Sequence, residues 1–157
     1  MAASITQVCE AVRQAIWEWW GPVPPDAVTR DYLPDVSPNG SWPSGRRVYV
    51  FPVSSGQAEV TTRGEDTWEH GVTVVVAEQC DERTADPTKE WVDERVDFVD
   101  GLTRVLGDVR RDRRTGGLLK GLVCQGQEVL AWYDPDELRE KKRFFAQLAF
   151  TYRRLEV

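Results

Sequence analysis

The stretch YDPDELREKKRFFAQLAFTYRRL, residues 133–155, decides the fold, because its second half carries an apolar residue at every second position. The apolar series is Phe144, Ala146, Leu148, Phe150 and Tyr152. Polar residues such as Gln147 and Thr151 alternate with it. Successive side chains of a β-strand point to opposite faces of the sheet, so this alternation predicts a strand with one buried and one solvated face. The charged residues before it predict a turn.

Three other segments predict strands. Residues 46–53, RRVYVFPV, form the first, and Pro52 favours a sheet edge or a strand end there because proline cannot donate a ladder hydrogen bond. Residues 68–79 form the second, which is predicted to be central because both of its faces are partly apolar. Its valines are Val72, Val74 and Val76 on one face and Val75 on the other. Polar residues 54–67 predict a flexible connection that can include a short strand at 58–62, and residues 118–132 predict a third strand region.

Two segments have the spacing of amphipathic helices. Residues 4–20 place apolar side chains on one face, with Ser4 as the predicted N-cap and Gly21 ending the helix. Residues 88–106 form a second helix of the same kind. The predicted buried stripes are Ile5, Val8, Cys9, Val12, Ile16 and Trp19 in the first, and Val92, Val96, Val99, Leu102 and Leu106 in the second. The sequence therefore predicts one α+β domain, residues 1–157, with a mostly antiparallel sheet of about four strands and two helices packed on one face.

The composition limits the kinds of molecule that the protein is expected to bind and the setting in which it is expected to act. A formal net charge of −6 argues against general binding to nucleic acid or to an anionic membrane, which basic faces favour. The N-terminal residues MAASITQVCEAV lack a positive region and carry Glu10 where a signal peptide is apolar, so no secretory signal is predicted. No apolar run approaches the roughly 18 residues of a membrane span, and no membrane partner is expected. Cys9, Cys80 and Cys124 form no CxxC pair, so reduced, buried thiols in a cytosolic setting are expected.

Groups that could support catalysis are few. His70 is the only histidine, which excludes a histidine-rich metal site and leaves a hydrolytic triad dependent on this one residue. Its position at the start of a strand predicts a surface or half-buried histidine. Asp93, Asp97 and Asp100 lie opposite the apolar stripe of the second helix and so predict a solvated face. We therefore expect no catalytic residue, no metal site and no cofactor, and a protein that is not an enzyme.

Two long connections are candidate contact surfaces. Residues 21–45 are rich in proline, glycine and aspartate, and their aromatic residues Tyr32 and Trp42 suggest contact with the core or with a neighbour. Residues 108–120 carry clustered arginines, namely Arg110, Arg111, Arg113 and Arg114. Such a run is either a hydrated surface loop or a surface that grips carboxylates or phosphates through bidentate guanidinium bonds. Both loops are predicted to project from the domain, and these six residues are the candidate interface.

The order of these segments resembles that of a known family. The segments that carry the likeness are VYVFPV at 48–53, with Val48, Tyr49, Val50 and Pro52, the valine-rich strand at 72–76, and a closing pattern. The closing pattern consists of Asp134, Pro135, Leu138, Phe144, Leu148, Phe150, Tyr152 and Arg153. Over residues 46–157 the chain resembles the tail terminator, or tail-completion, proteins at the head–tail junction of long-tailed bacteriophages.

This resemblance implies a structural role in a virion. Tail terminators form rings, usually hexamers, that cap the tail tube and dock onto the head-side connector, while DNA passes through the central hole. The expected partners are therefore further copies of the chain, the tail tube protein, the head-side connector or head-closure protein, and genomic DNA in the lumen without sequence-specific binding. The expected location is the neck of the virion, after assembly in the host cytoplasm. Loops 21–45, 54–67 and 108–120 would make the contacts.

Three alternatives stay open from the sequence. One is a different neck or minor tail component, such as a head-closure protein. A second is a small monomeric ligand-binding domain or enzyme, which would need a polar pocket near His70. A third is a DNA-contacting protein that uses the arginines of residues 110–114, whose binding would fall steeply with salt.

Overall fold

The computed structural model describes residues 4–30, 45–60, 66–80, 87–107 and 122–154. Along the chain these residues form three helices, one short 3₁₀ turn and five strands. The elements are α1 (Ile5–Trp20), the turn Pro25–Ala27, β1 (Val28–Thr29), β2 (Arg47–Val60), β3 (Asp66–Gln79), α2 (Lys89–Gly107), β4 (Leu122–Ala131), α3 (Pro135–Lys141) and β5 (Arg143–Arg154).

The strands form one mixed sheet in the order β1-β2-β3-β5-β4. β1 pairs in parallel with β2, whereas the β2–β3, β3–β5 and β4–β5 pairings are antiparallel. The α+β class is therefore confirmed. The predicted counts of four strands and two helices are wrong, because the described part of the chain has five strands and three helices. β1 has two residues, too few for an alternating pattern, and α3 is a seven-residue helix in the charged segment that was predicted as a turn.

The buried face of the sheet follows the alternation seen in the sequence. Val74 of β3 lies in register between Val50 of β2 and Leu148 of β5, and all three side chains are fully buried. The neighbouring rows repeat this arrangement with Val48, Val76 and Ala146, and with Val72 and Phe150. On the other face of β3, Val75 is also buried, at 2% exposure. The prediction of a central strand at 68–79 is confirmed.

Helices α1 and α2 cover the same face of the sheet. Their inward side chains join one apolar cluster with the strands, including Val8, Val12 and Ile16 of α1, and Val99, Leu102 and Leu106 of α2. Ser4 caps α1 through a capping box with Gln7, and the helix ends before Gly21, whose φ of 101° favours glycine. At the C-terminal end of α2, the buried Tyr152 hydroxyl donates a hydrogen bond to the carbonyl of Leu106 at 3.1 Å. This bond satisfies a carbonyl that the helix itself leaves unpaired.

The flexible connection predicted at 54–67 is wrong for most of its length, although the short strand predicted at 58–62 overlaps the end of β2. β2 continues to Val60 and β3 starts at Asp66, so most of these residues belong to one long hairpin. The register of that hairpin shifts between Pro52 and Ser54 and again between Gln57 and Glu59. Each such irregularity breaks the period of two in the sequence, which is why the strand could not be recognised from alternation.

Part of the predicted projecting loop at 21–45 is also ordered against the body. The turn Pro25–Ala27 and β1 occupy it, with Val28 paired to Val48. Arg30 then forms an ion pair with Glu10 at 3.0 Å and donates a hydrogen bond to the carbonyl of Thr6 at 3.0 Å. Residues 21–30 are therefore a strap that runs along α1 and the sheet edge.

The turn between α3 and β5 contains a strained residue. Lys142 has φ 55° and ψ 43°, a left-handed conformation that a Cβ atom disfavours. We expect Lys142→Gly to raise the free energy of unfolding by about 0.5–1 kcal/mol in urea denaturation. The bond from the amide of Cys80 to the carbonyl of Lys142, at 2.9 Å, does not need the side chain. Lys141→Gly, within α3, is the control and should lower stability by about 1 kcal/mol; a destabilised Lys142→Gly protein would contradict the reasoning.

Candidate assembly surface

The six residues predicted as the interface lie outside the described residues. They are Tyr32, Trp42, Arg110, Arg111, Arg113 and Arg114. The described residues that border their segments are Arg30, Gly45, Gly107 and Leu122. The candidate surface is therefore described through these four border residues and the helices and strands that carry them.

Strand register defines one end of the sheet, which we call the hairpin end. The β2–β3 hairpin closes there with the pair Val60 and Asp66. β5 finishes and β4 begins at the same end, because Glu69 pairs with Arg153 and Leu122 pairs with Arg154. The hairpin end therefore consists of residues 57–60, 66–69, 122–123 and 153–154.

Both borders of the arginine-rich segment lie at the hairpin end. Leu122 starts β4 there, and the end of α2 is held nearby by the bond between Tyr152 and Leu106. Arg30 does not lie there: β1 pairs with Val48 and Tyr49 near the start of β2, although it runs parallel to β2. Gly45 precedes β2 and lies at the opposite end of the sheet. The fold thus brings the borders of the arginine-rich segment, but not those of the segment with Tyr32 and Trp42, to the hairpin end.

The β2–β3 hairpin extends past β5, the strand that pairs with β3 on its other side. Pairing of β3 with β5 stops at Glu69, whereas β3 continues to Asp66 with β2 as its one partner among the described strands. At about 3.3 Å of rise per residue, the three residues 66–68 extend about 10 Å beyond Glu69, the last β3 residue that pairs with β5. The backbone of this antiparallel pair is therefore placed beyond the part of the sheet that β5 covers.

The opposite end of the sheet carries an exposed aromatic corner, residues 130–133. Leu130, Trp132 and Tyr133 are 49%, 39% and 41% exposed, although all three are large and apolar or aromatic. The corner leads into α3, where the Asp134 carboxylate accepts hydrogen bonds from the amides of Asp136 and Glu137 at 3.0 and 3.3 Å. Exposed tryptophan and tyrosine side chains on a fixed turn are typical of protein contact sites.

A buried charge cluster joins the sheet to α2 near this second end. Arg46 contacts one carboxylate oxygen of Glu78 at 3.0 Å, and Arg95 contacts the other at 2.5 Å. The side chain of Glu78 is 9% exposed, and those of the two arginines are 14% and 13% exposed. The outer carboxylate of Glu94 lies 3.4 Å from Arg46 and 3.0 Å from Arg95. The two positive charges of the guanidinium groups are therefore balanced by the two negative charges of the carboxylates.

The sequence contains a signal for this cluster, namely charged residues on two otherwise apolar stripes. Glu78 continues the inward series of Val72, Val74 and Val76, and its charge at an apolar position requires a partner inside the protein. Arg95 likewise lies four residues before the buried Val99 on α2. A charged residue on each of two buried stripes predicts an ion pair between them.

The single histidine is placed differently from its prediction. His70 is buried, at 7% exposure, and lies in register between Ser55 and Tyr152. It belongs to the interior of the sheet and not to its surface. By contrast, the solvated acidic face of α2 is confirmed at Asp93 and Asp97, which are exposed, whereas Asp100 is half-buried and forms an ion pair with Arg104.

The three cysteines are free thiols in the structure. Cys9 and Cys80 are buried as expected, whereas Cys124 is half-buried. Burial raises the pKa of the Cys9 thiol to about 11, against a smaller opposing effect of Arg30. Burial also raises the pKa of Cys124, whose thiol donates to the carbonyl of Gly126 at 3.3 Å. High thiol pKa values indicate low nucleophilic reactivity, because the thiolate is the reactive form.

Within the described ranges, no three histidine, cysteine, aspartate or glutamate side chains are grouped as metal ligands. None of the described helices combines the length and the apolar character that crossing a membrane requires. Comparison of the sequence with protein-family models and with curated proteins gave no match.

Proposed function

We propose that this protein is a tail terminator of a long-tailed bacteriophage, a ring-forming structural protein at the head–tail junction. The observation that carries the proposal is the hairpin end, where the projecting β2–β3 hairpin and the borders of the arginine-rich segment come together. The likeness in sequence over residues 46–157 supports the same role. A folded body that carries contact segments is what a capping ring requires of its subunit.

Two contact regions at opposite ends of the sheet also fit this role. A terminator meets the tail tube on one side and the head-side connector on the other. The hairpin end and the aromatic corner provide two such regions on one protomer. In a cyclic assembly each contact is repeated around the ring, so modest complementary contacts are multiplied by the symmetry. The net charge of −6 favours passage of DNA through the lumen without strong binding.

Native mass spectrometry of the purified protein, alone and after mixing with uncapped tail tubes, tests ring formation. We expect a single ring stoichiometry, in solution or on the tube. Electron microscopy of the virion then separates a terminator from a head-closure protein, because a terminator ring lies between the last tube layer and the head. A protein that remains monomeric and never associates with tubes would refute the proposal.

Shortening the hairpin tests the surface on which the proposal rests. Residues 57–68 are replaced by Asn-Gly, so that a two-residue turn joins the register pair Gly56 and Glu69. We expect ring formation or tube capping to fall at least about tenfold, because the projecting contacts are lost, as loss of central interface contacts typically costs more than 1–2 kcal/mol.

A second variant is the matched control for the shortened hairpin. It keeps both strands and replaces only residues 61–65 with glycine and serine. Thermal melting and near-ultraviolet circular dichroism should show a folded core in both variants, since residues 57–68 lie beyond the paired part of β5. Undiminished capping by a folded, shortened protein would contradict the role of the hairpin end.

A further inference from the structure

The cluster around Arg46 and Arg95 has two carboxylate positions. In the inner position, each oxygen of Glu78 contacts a different arginine. In the outer position, Glu94 repeats this pattern, with Oε1 near Arg46 and Oε2 near Arg95. The two guanidinium groups therefore form a fork whose outer side has the size and charge to hold one carboxylate.

The two positions differ in how firmly they are occupied. The side chain of Glu78 is 9% exposed, whereas that of Glu94 is 68% exposed and its contact with Arg46 is the longest of the cluster, at 3.4 Å. The guanidinium groups stay in place without Glu94. Arg46 lies over the ring of Phe98, 4.4 Å from its centre, and Arg95 lies over Trp91 at 4.0 Å. Only the outer carboxylate can leave at low cost, because it returns to water.

We propose that the outer side of the Arg46–Arg95 pair is a carboxylate-binding site, which Glu94 fills in the free protein and an acidic side chain of a partner protein fills on docking. The exchange keeps the charge balance, since one carboxylate replaces another. The two arginines and Glu78 leave one positive charge, which a single carboxylate neutralises. A phosphate dianion would leave surplus negative charge beside the buried Glu78. This site stands independently of the proposed role in a virion.

The test compares Glu94→Ala with Asp93→Ala. Asp93 precedes Glu94 on the exposed face of α2, so the two variants have the same net charge. The probe is a fluorescein-labelled hexaglutamate peptide, whose binding is followed by fluorescence anisotropy at constant ionic strength. We expect Glu94→Ala to bind the probe at least about tenfold more tightly than Asp93→Ala, which is the scale of one hydrogen bond between charged groups. The wild-type protein should bind no more tightly than Asp93→Ala, because Glu94 occupies its site.

Thermal melting in sodium acetate and in sodium chloride of equal ionic strength gives a second measurement. Acetate fits the vacated position, so it should raise the melting temperature of Glu94→Ala by about 2–4 °C more than chloride does. Asp93→Ala should melt at the same temperature in both salts. Equal probe affinity in the two variants would overturn the proposal, because any increase in affinity over the wild-type protein would then reflect net charge alone. Equal melting of Glu94→Ala in the two salts would overturn it as well.

Discussion

Replacing Glu78 with glutamine is expected to lower the free energy of unfolding by about 3–5 kcal/mol, because it removes the inner carboxylate from a nearly buried ion pair. Arg46 and Arg95 are then left with Glu94, whose side chain is 68% exposed and lies at the surface. The guanidinium nitrogens that contacted Glu78 then lie without a carboxylate in the part of the cluster that is largely closed to water, whereas those that face Glu94 can be solvated. Urea denaturation followed by tryptophan fluorescence measures the loss.

The control for this prediction is Glu94→Gln, which removes the outer carboxylate from the same arginines. Its expected cost is below about 1 kcal/mol, because an exposed ion pair is screened by solvent. A triple variant, with Glu78→Leu, Arg46→Met and Arg95→Met, should recover most of the stability that Glu78→Gln loses, since no charge remains buried. Similar small losses for Glu78→Gln and Glu94→Gln would show that the inner pair is not desolvated.

Leu148→Ala is expected to lower the free energy of unfolding by about 2–5 kcal/mol. Leu148 is fully buried in β5, in register between Val74 and Val129, and belongs to the cluster beneath the helices. The surrounding strands and helices can close only part of the cavity that the shorter side chain leaves. Thermal or urea denaturation, compared with the wild-type protein, gives the difference.

Leu130→Ala makes the same chemical change at an exposed site. Leu130 is 49% exposed in the aromatic corner, so the expected loss of stability is less than about 1 kcal/mol. Near-equal losses at Leu130 and Leu148 would mean that the corner is packed as tightly as the core. That result would also argue against the corner as a contact surface.

The strands and helices with a regular pattern could be predicted from the sequence. The alternation from Phe144 to Tyr152 predicted β5, and the stripe from Val92 to Leu106 predicted α2. Ser4 marked the start of α1 correctly. These signals are local, because side chains two, three or four residues apart share a face of one element. No knowledge of the rest of the protein is needed to recognise them.

Less of the candidate surface than of the fold could be predicted from local sequence patterns. Composition and the aromatic and arginine residues drew attention to segments 21–45 and 108–120, yet the length of the β2–β3 hairpin was missed. Strand register alone shows that β2, β3, β4 and β5 share one end. Register depends on pairing between residues far apart in the chain, and irregularities at Pro52 and Gln57 hide it from local patterns.

Gly101 shows what only the tertiary structure decided. Glycine inside a helix is locally unfavourable, and nothing near it in the sequence explains its presence in α2. A Cβ atom at this position would lie 2.7 Å from the ring of Trp19 on α1, so the ring would have to shift from its observed place between the two helices to admit one. The sequence by itself determined which residues form the strands and helices with regular patterns. The tertiary structure decided which distant residues meet, as with Gly101 and Trp19 or Glu78 and its arginines, because such contacts depend on how whole elements pack.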